Sequence, residues 1–101
     1  MKVSEYNEGA NSSSQFDKLS AETREKTLAW IASNILPSKK FKHAGKVTSY
    51  NYKHRMEEDS GLYITNGSFK GAMLASGYMP YDISELNWEF KASGPTEVIR
   101  K

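Results

Sequence analysis

Between Ser38 and Met56 the chain carries Lys39, Lys40, Lys42, His43, Lys46, Lys53, His54 and Arg55, and no acidic residue. Ammonium, guanidinium and imidazole groups at this density contact phosphate. Phe41 and Tyr50 lie among them. Lysines that follow a sugar–phosphate backbone, next to rings that receive bases, are a recurring device for single-stranded nucleic acid. The rest of the chain holds eight basic and twelve acidic residues, so the net charge of +2 is a basic segment on an otherwise acidic protein. Such a segment reads as a phosphate footprint. The plainer reading is a solvated lysine-rich loop, with Phe41 pinning it to the core.

A second set of candidates follows. Thr48 or Ser49 can cap a helix that contains Tyr52 and Met56 on one face and stops at Gly61. Leu62–Ile64 is then a short extended link, and Thr65 or Asn66 caps the next helix. There Phe69, Ala72, Met73 and Ser76 form an apolar stripe, and Gly77 ends it. Helix, link and capped helix outline a helix-turn-helix, whose second helix presents its N-terminal residues to DNA. Asn66, Ser68 and Lys70 are the polar residues there. None is arginine, the residue most often found on guanine, so the pattern favours weak discrimination between bases. Gly67, Gly71 and Ala72 make this helix small-sided, suited to close approach by a backbone or another helix.

The candidate nucleic-acid-binding residues are therefore Lys39, Lys40, Phe41, Lys42, His43, Lys46, Tyr50, Lys53, Arg55, Asn66, Ser68 and Lys70, with Tyr81 a further possible stacking ring. Other chemistry finds little support. His43 and His54 stand eleven apart with no carboxylate at ligand spacing, and read as surface residues. The triplet Glu57-Glu58-Asp59 reads as a solvated face or as i,i+4 partners, Lys53 with Glu57 and His54 with Glu58. There is no glycine-rich phosphate loop, nucleophile elbow or zinc-protease helix. No enzyme, metal or cofactor is expected.

The elements that position these residues follow in order. Met1 to about Gln15 has no apolar period and reads as a mobile arm; residues 16–101 form one domain. Phe16 and Leu19 are the first anchors. Ser20 caps a helix with Leu28, Ile31 and Ile35 at helical spacing and Trp30 in the core, stopped by Pro37. Tyr81–Glu85 reads as a turn. Leu86, Trp88 and Phe90 alternate with polar residues as a strand would, pairing with the 62–64 link or with the basic loop. The fold class expected is α+β: a winged helix-turn-helix of three helices and a small antiparallel sheet. At 101 residues, 38% hydrophobic and without cysteine, the chain suits one globular domain with no disulfides. No apolar run reaches the roughly 18 residues of a membrane helix, and the N-terminus lacks a signal-peptide core, so a cytoplasmic protein without a membrane partner is expected.

Thr48-Ser49-Tyr50, Lys53-His54, Gly61, Tyr63, Thr65-Asn66, Phe69-Lys70, Ala72-Met73, Gly77-Tyr78, Pro80 and Asn87-Trp88 carry a resemblance over residues 46–91. The region resembles the small winged-helix proteins of Gram-positive prophages and mobile elements, among them those of the replication module of staphylococcal cassette chromosomes. The resemblance implies single-stranded DNA binding beside a replicative helicase or polymerase encoded nearby. It transfers no residue-level motif. The function expected is a non-enzymatic, single-strand-binding replication accessory factor. The alternatives are a protein-interaction factor, such as a helicase accessory or a phage-type inhibitor of host defence, and a duplex-binding regulator.

Overall fold

The computed structural model describes residues 9–37, 48–90 and 92–93, and the helix Asn66–Ala75 lies at its centre. Three α-helices are present among these residues: α1 (Ala21–Asn34), α2 (Ser49–Ser60) and α3 (Asn66–Ala75). Two 3-10 segments, Gly9–Asn11 and Ser13–Lys18, precede them.

Each helix starts on a hydroxyl cap. Ser20 accepts from the amide of Thr23 at 3.1 Å, Thr48 from Asn51 at 3.1 Å, and Thr65 from Ser68 at 3.0 Å. Each bond satisfies one of the orphan donors of a first turn. Helix α2 ends on Gly61, which has φ 79°. Helix α3 ends through Gly77, with the amide of Tyr78 returning to the carbonyl of Met73 at 2.9 Å.

The core gathers Phe16, Trp30, Ile31, Ile35, Tyr52, Met56, Ile64, Phe69, Ala72, Met73, Trp88 and Phe90. Trp30 and Phe69 meet edge-on, 6.5 Å between centroids, which is the arrangement their ring quadrupoles favour. Of the stripe expected on α3, Phe69, Ala72 and Met73 are buried, while Ser76 lies exposed just past the helix end.

The expected mobile arm differs over residues 9–15. There the chain packs along α3, and Phe16 enters the core. Two glycines make the approach possible: a Cβ on Gly67 would overlap the carbonyl oxygen of Ser12, and one on Gly71 that of Ser13. Residues 1–8 lie outside the described residues.

The winged helix-turn-helix is not what forms. The described residues are mainly helical. Strand structure among them is limited to a two-residue antiparallel pair, β1 (Leu36–Pro37) with β2 (Ala92–Ser93), and two isolated bridges, Thr48 with Glu89 and Pro80 with Phe90. The 86–90 stretch buries Trp88 and Phe90 but leaves Leu86 exposed. Its backbone bonds are divided: Trp88 exchanges bonds with Ser49, the carbonyl of Glu89 accepts from Tyr81, and neither set extends into a ladder. It does not pair with Leu62–Ile64. The turn at 81–85 is present, where the Asp82 carboxylate accepts from the hydroxyl and amide of Ser84, and both bonds hold it below the usual carboxylate range.

Candidate nucleic-acid interface

The start of α2 is fixed on two sides. Thr48 caps it, and the buried Ser49 receives and returns bonds with Trp88: its amide donates to the Trp88 carbonyl at 2.7 Å, and its Oγ accepts from the Trp88 amide at 3.1 Å. Tyr52 and Met56 then point into the core. Tyr50, Lys53, His54 and Glu57, at helical spacing, fall together on another face.

They form one connected cluster. The rings of Tyr50 and His54 stand nearly perpendicular, with centroids 4.4 Å apart. The Lys53 ammonium lies 5.7 Å from the centre of the Tyr50 ring. It also donates to Oε2 of Glu57 at 2.9 Å, while Nδ1 of His54 faces Oε1 of the same carboxylate at 3.3 Å. Exposure divides the cluster. Tyr50 is 46% exposed and the His54 side chain 47%, whereas the side chains of Lys53 and Glu57 are only 12% and 10% exposed. The open surface is thus a tyrosine ring beside an imidazole, backed by a mostly covered ion pair. Arg55 is half-buried; its charge favours ionisation of Tyr52, but burial outweighs it and raises that phenol above its ordinary value.

Sequence spacing identified the Lys53–Glu57 pair but matched His54 to Glu58. The carboxylate that faces His54 is Glu57, one residue nearer. Tyr50 and Glu57 stand seven residues apart, which places the carboxylate on this face as its pairing with Lys53 does. Asp59, from the same acidic triplet, instead accepts from the indole of Trp30 at 2.8 Å. No group of acidic or histidine side chains suited to a metal occurs among the described residues.

The candidates on α3 do not join this face. The amide nitrogen of Asn66 donates toward Oδ1 of Asn11, the carbonyl of Leu86 and Oδ1 of Asn87, at 3.1 to 3.2 Å. Ser68 is buried and bonded to Thr65. Lys70 is fully buried: its ammonium donates to the carbonyl of Asn11 at 3.1 Å and lies 4.8 Å from the centre of the Trp88 ring. Burial pushes its pKa down to about 8. The expected reading helix therefore faces inward: Ser68 bonds its cap Thr65, and Asn66 and Lys70 bind the chain's own N-terminal segment and the 86–88 stretch. Tyr81 is half-buried. Lys39, Lys40, Phe41, Lys42, His43 and Lys46 lie outside the described residues.

Elsewhere, an open groove of about 370 Å³ runs between α1 and the link after α2, lined by Lys26, Trp30, Ser33, Asn34 and Leu62 among others. Lys26 pairs with Glu22 at 3.1 Å, and the lining holds no carboxylate or histidine. No helix among the described residues is long and apolar enough to cross a membrane. No protein-family model, curated protein or solved structure matches this chain.

Proposed function

We propose that this chain is a non-enzymatic cytoplasmic protein that binds single-stranded DNA. One observation carries the reading: Tyr50 stands half-exposed on the first turn of α2, with His54 against it and Lys53 behind it, directly after a segment that holds four lysines, one histidine and no acid between Ser38 and Val47. An open ring next to lysines suits a stacked base and its phosphates, and each such stack is worth roughly 1–3 kcal/mol. The inward orientation of Asn66, Ser68 and Lys70 leaves α3 without a reading edge for the major groove, which favours the single strand over the duplex. Service to replication of a mobile element, beside a helicase or polymerase encoded nearby, is the setting that the resemblance implies.

The test is anisotropy of a labelled oligonucleotide, single-stranded and then duplex, at low and moderate salt. Salt-sensitive binding that prefers the single strand is expected, because phosphate contacts release counterions. No binding at low salt would refute the reading. A second reading, a protein partner, draws on Tyr63 and Met79, which are 78% and 68% exposed and stand outside the Tyr50 face. Co-purification with a neighbouring enzyme, together with indifference to nucleic acid, would favour it.

A further inference from the structure

Resting on the single-strand reading, we propose that His54 is a phosphate ligand that takes up a proton when nucleic acid binds, with Glu57 as the residue that positions its ring. The argument starts from the charge balance of the cluster. Glu57 carries one negative charge and already holds Lys53 at 2.9 Å. Its second oxygen faces Nδ1 of His54 at 3.3 Å. Lys53 and a protonated His54 together carry two positive charges against the single negative charge of Glu57, which leaves the cluster one anion short. A bound phosphate supplies that anion.

The geometry gives the phosphate its place. Nδ1 is turned to Glu57, so Nε2 is the nitrogen left for a ligand on a side chain that is about half exposed. A neutral ring with its hydrogen on Nδ1 offers only a lone pair at Nε2, which an anionic oxygen repels. A protonated ring donates from both nitrogens, to Glu57 through Nδ1 and to a phosphate oxygen through Nε2. The added proton comes from solvent and stays on the ring, and only hydrogen bonds are made. Lys53 cannot take this role without leaving Glu57, because its side chain is mostly covered. Tyr50 beside His54 supplies the surface for the base.

The other charged groups around His54 leave this balance intact. Arg55 and Glu58 share its helix, and neither forms an ion pair with it. Of the segments packed against α2, α1 brings Trp30 onto Asp59 and Lys26, paired with Glu22, to the groove beside Ser60; 88–90 brings Glu89 opposite Thr48; and α3 brings Lys70, which is turned to Asn11 and Trp88. Among the described residues, Glu57 is the one acid within ion-pair distance of His54.

The experiment measures affinity of the full chain for a labelled oligothymidylate at pH 6, 7 and 8 and constant ionic strength. Wild type and His54→Gln are compared, with folding checked by circular dichroism. Wild-type affinity is expected to fall about three- to tenfold from pH 6 to pH 8, below the roughly hundredfold ceiling that uptake of one full proton sets across two pH units. His54→Gln flattens the profile. In parallel, imidazole NMR should show the His54 titration moving to higher pH with oligonucleotide or with pyrophosphate. Binding that ignores pH, or a profile that His54→Gln leaves unchanged, overturns the proposal and leaves single-strand binding standing. A chain that binds no oligonucleotide, but whose His54 signal still responds to pyrophosphate, retains the phosphate ligand and discards the single strand. A His54 signal unmoved by either probe overturns the proposal.

Discussion

The ammonium of Lys70 lies over the face of Trp88, 4.8 Å from the ring centre, and both side chains are buried. A desolvated cation on an indole face gains about 2 kcal/mol or more, and the bond to the Asn11 carbonyl adds a charge-assisted partner. Three distant parts of the chain meet at this one group: the 3-10 segment through Asn11, helix α3 through Lys70, and the 86–90 stretch through Trp88. Burial still costs the charged form, which is why the pKa falls to about 8.

That shift fixes a pH dependence. The folded state releases the Lys70 proton near pH 8, while the unfolded chain holds it to about 10.5. Between these values the unfolded state binds more protons, so stability rises with pH. Tyr52 and Tyr78 work in the opposite sense: burial raises both phenols above 10, so their contribution is lost as pH climbs past that point. Urea unfolding of the wild type should therefore show a gain of about 2 kcal/mol from pH 8 to pH 10 that reverses above it. Lys70→Met should remove the rise and keep the fall.

Gly67→Ala and Gly71→Ala test the seat of the N-terminal segment. Alanine raises intrinsic helix stability by about 1 kcal/mol over glycine, so on an open helix face either change would stabilise. Here each added methyl meets the backbone of Ser12 or Ser13. Overpacking of this kind costs about 1–3 kcal/mol, so a net loss in urea unfolding is expected, with faster proteolysis confined to residues 9–18.

These contacts explain what the sequence conceals. Caps, helix ends and the Tyr52–Met56 and Phe69–Met73 faces are local, so Thr48, Gly61, Thr65 and Gly77 announce them. The pairing of Lys53 with Glu57 is legible for the same reason. What covers α3 is not local: Asn11 stands 55 residues from Asn66, and Ser49 lies 39 from Trp88. The polar residues Asn66, Ser68 and Lys70 resemble a reading edge because a buried lysine and a DNA-facing lysine look alike until the partner is known. Gly67 and Gly71 did carry a trace of it, as a small-sided surface open to a backbone. The alternation at 86–90 marks two buried rings correctly, but alternation cannot say whether the backbone finds a ladder.

Phe69→Ala should be the costliest single truncation near the centre. The ring is fully buried, meets Trp30 edge-on and lies on the helix that the other elements surround. Loss of about 3–5 kcal/mol is expected. That is a large share of the roughly 5–15 kcal/mol of a whole domain. Thermal unfolding should show a lower midpoint in the same experiment in which Leu36→Ala, at an exposed side chain, leaves it nearly unchanged.

Tyr50→Ala addresses the interface itself. Tyr50 lies outside the core cluster, so removing its ring should leave stability close to that of the wild type. If a base stacks there, affinity for single strands falls by about 1–3 kcal/mol, which is roughly five- to over a hundredfold. The loss should persist at moderate salt, because stacking releases no counterions, whereas charge reversal of Lys39, Lys40 and Lys42 should weaken binding most at low salt and at every sequence. Tyr63→Ala is the control: its ring is more exposed than that of Tyr50 but stands in the link after α2, and among the described residues no lysine or histidine lies against it. Equal losses from both changes would mean that exposed tyrosine alone drives association, and the Tyr50 face would lose its claim. A loss confined to Tyr50→Ala, with the folded signal intact, would tie binding to the ring that His54 and Lys53 hold.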